Sequence, residues 1–204
     1  MAQGRIETIE ALRAHYGYPS DKGVEKELSA LDKHCKRFIE LSPFLMLATT
    51  NGDKVDVTPR GDAPGSVQVV GDSTILVPDW PGNRRLDSLS NILAHPNVSL
   101  IFLIPNVSET LRVLGSASII VDEELRARFE TKGKIPLSVI SVEVKSAFLH
   151  CSKAFLRSKL WQSDSWPERS ALASAGEMFR DHMELEMPVE DLDRIVDGFK
   201  NELY

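Results

Sequence analysis

Apolar and polar positions along the chain change rhythm twice. Val24, Leu28, Leu31, Cys35, Phe38 and Ile39 recur at spacings of three and four, which predicts a helix with one buried face. A shorter series, Ile6, Ile9 and Leu12, predicts a preceding helix that stops near Gly17 and Pro19. From Pro43 the rhythm becomes that of strands. Phe44–Thr50 and Lys54–Thr58 flank Asn51-Gly52-Asp53, and Asn-Gly favours a hairpin because both residues tolerate positive φ. A second hairpin, Ser66–Val70 and Thr74–Val77, turns at Gly71-Asp72. Leu86–Ala94 reads as a helix stopped by His95-Pro96. Val98–Ile104 is almost uninterruptedly apolar, which predicts burial on both faces. Thr110–Val121 and Leu137–His150 are long strands around a short helix, Asp122–Glu130. After residue 161 the chain reads as helical again. Ser165-x-x-Glu168 with Pro167 suggests a helix start, and Leu192, Ile195, Val196 and Phe199 a terminal apolar stripe.

About seven strands with mostly antiparallel connections predict a barrel, and helices before and after it make the class α+β. The chain divides as one domain, 1–204. Residues 1–41 are N-terminal helices, 42–161 the barrel core and 162–204 C-terminal helices. Charge follows the same division. The first segment has seven basic and seven acidic side chains, the middle thirteen and twelve, the last four and eleven. The formal charge of −6 therefore resides in the last segment. This disfavours nucleic-acid binding, which needs a basic face. No run approaches the ~18–20 apolar residues of a membrane span. The start, Met1 to Glu7, lacks the pattern of a secretory signal, so a cytoplasmic location is expected. Cys35 and Cys151 have no nearby second cysteine, which argues against disulfides and thiolate metal sites; Cys35 is expected in the core.

Candidate chemistry concentrates on the barrel. Thr58-Pro59-Arg60-Gly61-Asp62 ends one strand, and Pro78-Asp79-Trp80-Pro81-Gly82-Asn83-Arg84-Arg85 ends another and opens a helix. Free N–H groups at a helix start attract an anion, and two arginines add bidentate hydrogen bonds. Two readings stay open on spacing alone: a phosphate site at Arg84 and Arg85, or solvated charges. Arg60 could equally be a structural partner of Asp56 or Asp62. Lys153, Arg157 and Trp161, four apart, would share one face if their stretch is helical; Trp161 could instead serve packing. His150 and Cys151, adjacent on a strand, point to opposite faces and make a poor catalytic pair.

Several longer motifs occur in one order between about residues 30 and 185. They are Asp56-Val57-Thr58-Pro59-Arg60-Gly61-Asp62-Ala63-Pro64-Gly65, Pro78 to Leu89, Phe102-Leu103-Ile104-Pro105, Glu109 to Ala117, and His150 to Trp161. Together they closely resemble a bacterial branch of the pyridoxamine 5′-phosphate oxidase-like flavoproteins. The resemblance implies a split β-barrel of antiparallel, Greek-key strands. It also implies a homodimer with FMN in a groove at the interface. It places Arg84 and Arg85 at the flavin phosphate and Arg60 beside the ring or ribityl chain. Asn83 and the backbone of Val77, Pro78 and Asp79 would also touch the flavin, and Lys153, Arg157 and Trp161 would reach over from the second subunit. The implied function is an FMN-dependent oxidoreductase acting on a small aromatic or heterocyclic molecule. The substrate-phosphate residues and basic terminal motif of true pyridoxamine 5′-phosphate oxidases are not matched, so vitamin B6 oxidation is not the expected activity. No catalytic residue and no metal ligand is assigned. Two alternatives remain from other classes. One is a flavin or haem carrier or sensor without turnover, with His15, His34, His95, His150 and His182 as the available imidazoles; the other is an interaction domain built on the acidic tail.

Overall fold

Residues 4–204 are described by a computed structural model, without the side chains of Lys22 and Val24. Among them, α1 spans Ile9–Tyr16, α2 Asp21–Glu25 and α3 Lys33–Leu41. The strands and inserted helices follow as β1 (Phe44–Thr50), β2 (Val55–Gly61), β3 (Gln68–Val70), β4 (Thr74–Asp79), α4 (Asp87–Ala94), β5 (Asn97–Leu103), β6 (Thr110–Ile120), α5 (Glu123–Ala127) and β7 (Ser138–His150). The chain continues through α6 (Lys153–Ser158), α7 (Ala175–Met183) and α8 (Val189–Gly198).

The seven strands form one antiparallel sheet in the order β2-β1-β5-β6-β7-β4-β3, the split β-barrel of an α+β fold. Its inner face is a continuous core that includes Leu45, Leu47, Ile75, Leu100, Phe102, Leu111, Val113, Ile140 and Val142. Strand β2 is an edge. That is why it runs on to Gly61, past the expected end at Thr58, with Pro59 opposite Met46: an edge strand tolerates the missing N–H. The turn is a four-residue loop in which Asn51 Oδ1 accepts from the N–H groups of Asp53 (3.1 Å) and Lys54 (2.8 Å). On β6 a register shift falls between Leu114 and Gly115, where a Cβ on residue 115 would lie 2.4 Å from the Glu143 carbonyl oxygen. Only glycine fits that approach.

Three expectations are corrected. The single helix predicted from Val24 to Ile39 is broken: α2 ends at Glu25, and α3 begins only at Lys33. Leu28 instead exchanges two backbone hydrogen bonds of 2.9 Å with Ala147, and the Leu31 N–H donates to the Asp72 carbonyl. Tertiary pairing thus overrides the helical spacing. The stripe holds from Leu31 onward, with Leu31, Cys35 and Ile39 buried; the side chain of Val24 lies outside the described residues. Strand β5 buries one face only: Val98, Leu100 and Phe102 point inward, while Ile101 is exposed. Near residue 165 the chain makes 3-10 turns, Ser163–Ser165 and Arg169–Ala171, rather than a helix. The helical start lies further on, where Ser174 Oγ accepts from the Glu177 N–H at 3.1 Å. In the terminal stripe Leu192 is buried, whereas Ile195 and Phe199 are exposed.

Asp32 caps α3, accepting from the N–H groups of His34 (3.0 Å) and Cys35 (2.8 Å). The Cys35 N–H holds its carboxyl below the ordinary carboxylate value of 3.8. Asp32→Ala is expected to lower stability by about 1 kcal/mol in urea titrations near neutral pH. A depressed pKa stabilises the fold above the unfolded value and ceases to do so as pH falls through the folded one. The difference between wild type and variant should therefore shrink in acid.

Candidate functional site

The split lies where the sheet curls its β2 edge toward β4, although four strands separate the two in sheet order. Alternation along β2 puts Asp56, Thr58 and Arg60 on one face. The Arg60 guanidinium crosses the split to form an ion pair with Asp79 at the end of β4. Both side chains are mostly buried, and Arg60 Nε and Trp80 Nε1 are buried without a hydrogen-bond partner among the described residues. Such donors are costly to leave unmet, so each marks a place where an acceptor is wanted.

Two cavities share Arg60 and Trp80 as a common wall. One, of about 370 Å³, runs from Asp56, Thr58 and Asp79 to the Asn83–Leu89 segment. The loop before α4 is tightly wound, with Arg84 and Leu86 both left-handed, at φ 60° and 58°. The Arg85 N–H donates to Asn83 Oδ1 at 3.1 Å. The N-cap position, Leu86, offers no side-chain hydrogen bond, so the first N–H groups of α4 remain available. Inside the helix, Ser88 Oγ lies 3.0 Å from Thr58 Oγ1 and donates to Asp56 Oδ2 at 3.4 Å, which fixes α4 against β2.

Three arginines thus face three aspartates. Arg60 is paired with Asp79. Arg85 Nε donates to Asp87 Oδ2 at 2.8 Å, a bond that pushes the Asp87 carboxyl below and the Arg85 guanidinium above their ordinary values. Arg84 is exposed and has no ion-pair partner among the described residues. The arrangement can receive an anion on Arg84 and the open helix start, with Arg85 in competition between that anion and Asp87.

The second cavity, of about 450 Å³, lies on the other side of Arg60 and is lined by β1, β2, β4 and the Leu203–Tyr204 segment. Val77 and Pro78 line it too, although both are buried; Asp79 and Asn83 belong to the first. Arg60 pairs with Asp79 rather than with Asp56 or Asp62, and the Asp62 carboxylate instead accepts from the Tyr204 hydroxyl at 2.7 Å. That bond raises the Tyr204 phenol above its ordinary pKa.

Lys153, Arg157 and Trp161 line neither cavity. Lys153 and Arg157 are exposed on α6, but the helix closes with left-handed Lys159, so Trp161 lies beyond it and does not continue their face. Trp161 stacks on Phe155 at 5.6 Å and donates its indole N–H to the Val107 carbonyl at 2.9 Å. Asp56, Thr58 and Ser88 went unassigned on sequence, although the period-2 face shared with Arg60 identifies the first two. Tyr204 carries no local signal, since its contact with Asp62 spans 142 residues.

Among the described residues no group of His, Cys, Asp and Glu could hold a metal ion, and no helix is long and apolar enough to cross a membrane. Cys35 is buried, and burial followed by the Asp32 carboxylate pushes its thiol up to about 11, whereas Cys151 is exposed. An alkylating reagent near pH 8 should label one thiol per native chain, Cys151, and the second only after denaturation, as counted by intact mass.

A split barrel with an arginine-flanked, uncapped helix start at its opening defines a class of small antiparallel barrel proteins. The sequence profile described as pyridoxamine 5′-phosphate oxidase matches residues 31–151, and the chain belongs to that family. No curated protein matches it. Among solved structures, the chain is similar to HupZ of Group A Streptococcus at 18% identity and a TM-score of 0.47, covering 58% of this chain and 93% of that one. General Stress Protein 26 from Bacillus anthracis aligns at 19% identity and a TM-score of 0.44, over 57% and 93% of the two chains. An FMN-binding protein from Syntrophomonas wolfei aligns at 12% and 0.43, over 70% and 96%.

Proposed function

We propose that this chain is an FMN-binding flavoprotein and works as an oxidoreductase on a small molecule other than pyridoxamine 5′-phosphate. The carrying observation is the uncapped start of α4 with Arg84 unpaired beside it and, across the same cavity, the buried Arg60 Nε–H without an acceptor. These residues fit FMN at both ends: N–H groups and guanidinium for a phosphate, and a desolvated donor for the oxygen- and nitrogen-rich edge of the ring. Bound FMN would supply two-electron chemistry. The chain's own part is to bind and to orient. Arg84, Arg85, Asn83 and the α4 N–H groups hold the anionic end. Arg60, kept in place by Asp79, presents its donor to the other end. The β4 backbone at Val77, Pro78 and Asp79 walls the split and keeps water from it.

In this reading the protein is a homodimer in which Lys153, Arg157 and Trp161 of one protomer complete the flavin groove of the other. The exposed apolar side chains Leu149, Leu156 and Leu160 around α6 support a covered face there. Two unpaired thiols suit a reducing, cytoplasmic compartment. The test is an FMN titration of the purified chain followed by absorbance and flavin fluorescence, with size-exclusion chromatography alongside. Saturable quenching at one flavin per protomer, followed by bleaching with NAD(P)H and return of colour on adding an acceptor, is the expected result. A protein that leaves excess FMN fluorescent and free refutes the reading; one that binds FMN but never exchanges electrons is a carrier.

A further inference from the structure

The second cavity has walls of a particular kind. Three aromatic rings, Phe44, Trp80 and Tyr204, and three prolines, Pro43, Pro59 and Pro78, line about 450 Å³ of space. Flat faces of this sort suit a flat guest. Of the two charged side chains on its wall, Arg60 is paired with Asp79, whereas Asp62 accepts only from the Tyr204 hydroxyl and the Ala63 N–H and keeps its negative charge. An anionic guest would meet that carboxylate and be repelled by it. Yet the Trp80 indole N–H, on the same wall, is buried and has no acceptor among the described residues. The guest is therefore flat, not anionic, and equipped with a carbonyl oxygen or ring nitrogen.

Tyr204 is held for this role from several sides. Its hydroxyl donates to Asp62, its ring meets Trp80 edge-on at 4.9 Å and 77°, and Lys132 Nζ lies 5.3 Å from its ring centroid. Its carbonyl accepts from Lys134 Nζ. Contacts from the residues that follow β2 and β4 and from the loop before β7 converge on one residue, whose side chain forms part of the cavity wall.

We propose that this cavity is a second ligand site, taking a planar aromatic or heteroaromatic molecule that carries a hydrogen-bond acceptor and no negative charge, and that Tyr204 is its specificity-determining residue. The proposal rests on the flavin reading only in making the guest the flavin's redox partner; the binding itself is measured apart from it. Quinolin-2-one serves as probe, with its ring-saturated analogue decahydroquinolin-2-one and the anionic quinoline-2-carboxylate as comparisons. Saturation-transfer NMR on the full chain, with and without FMN, gives the affinities. Quinolin-2-one should bind in both conditions, at least ten-fold more tightly than either comparison compound. Tyr204→Ala should weaken it at least ten-fold while changing FMN affinity less than two-fold. Tyr204→Phe, which keeps the ring and loses only the Asp62 bond, should cost less than three-fold. Equal binding of the saturated analogue, or indifference to Tyr204→Ala, overturns the proposal. Displacement of the probe by FMN also overturns it, because the cavity then belongs to the flavin. If the wild type binds no FMN, the flavin reading fails by itself, and the same probe series in flavin-free protein still decides the cavity.

Discussion

Replacing both Arg84 and Arg85 with alanine is expected to raise the FMN dissociation constant about 100-fold. Charge-assisted hydrogen bonds to a phosphate are roughly twice as strong as neutral ones, and two guanidiniums are removed. The loss is smaller than that of two free guanidiniums because Arg85 already serves Asp87, so its bond to a ligand is exchanged rather than gained. Arg84→Ala alone should accordingly cost more than Arg85→Ala alone. Riboflavin, which lacks the phosphate, provides the control. The wild type should prefer FMN to riboflavin by at least about 100-fold, and the double variant should keep only the smaller preference that Asn83 and the α4 N–H groups supply. Added salt should weaken FMN binding to the wild type more than to the variant, since both arginines are exposed. Fluorescence titrations of the four proteins with both flavins measure all of this. If the double variant loses riboflavin as severely as FMN, the arginines support the loop and not the phosphate.

The barrel was legible in the sequence because its signals are local. Phe44–Thr50 is a run of apolar and β-branched residues, Asn51-Gly52 turns and the return strand lies at once beside it; each step is decided within a dozen residues. The same holds for the loop from Pro78 to Arg85, whose glycine, asparagine and arginines announce an anion site before any fold is drawn. What sequence reading lost depends on partners far along the chain. The helical spacing through Leu28 was genuine as a pattern, but Ala147 offers that leucine a β-bridge. Two Ser-x-x-Glu motifs stand nine residues apart; only the one at Ser174 caps a helix. There Gly176 lets α7 press against α8, a Cβ being within 2.6 Å of Asp193. Propensity places a cap, and packing chooses between candidates. Strand β5 misled for a related reason: Ile101 is as apolar as Leu100, yet it faces outward, and composition cannot tell a covered face from an exposed one.

The second large effect is expected at the bridge across the split. Arg60→Ala should lower the stability of the chain by about 3 kcal/mol, read as a shifted urea midpoint, because it leaves the Asp79 carboxylate in a mostly buried position without its cation. Breaking such a pair from one side costs far more than the pair contributes in sum. An Arg60→Met/Asp79→Leu double variant should therefore recover most of the lost stability, since it removes both desolvation costs while keeping comparable bulk. Flavin binding should separate from this recovery. The donor that Arg60 Nε presents is absent from the single and the double variant alike, so FMN affinity should stay reduced in both even where the fold is restored. Recovery of flavin affinity together with stability would mean that Arg60 matters only as a strut between β2 and β4. A single variant with an unchanged midpoint would show instead that the two edges are held by α4, through Ser88 and Thr58, and that the bridge exists for the ligand.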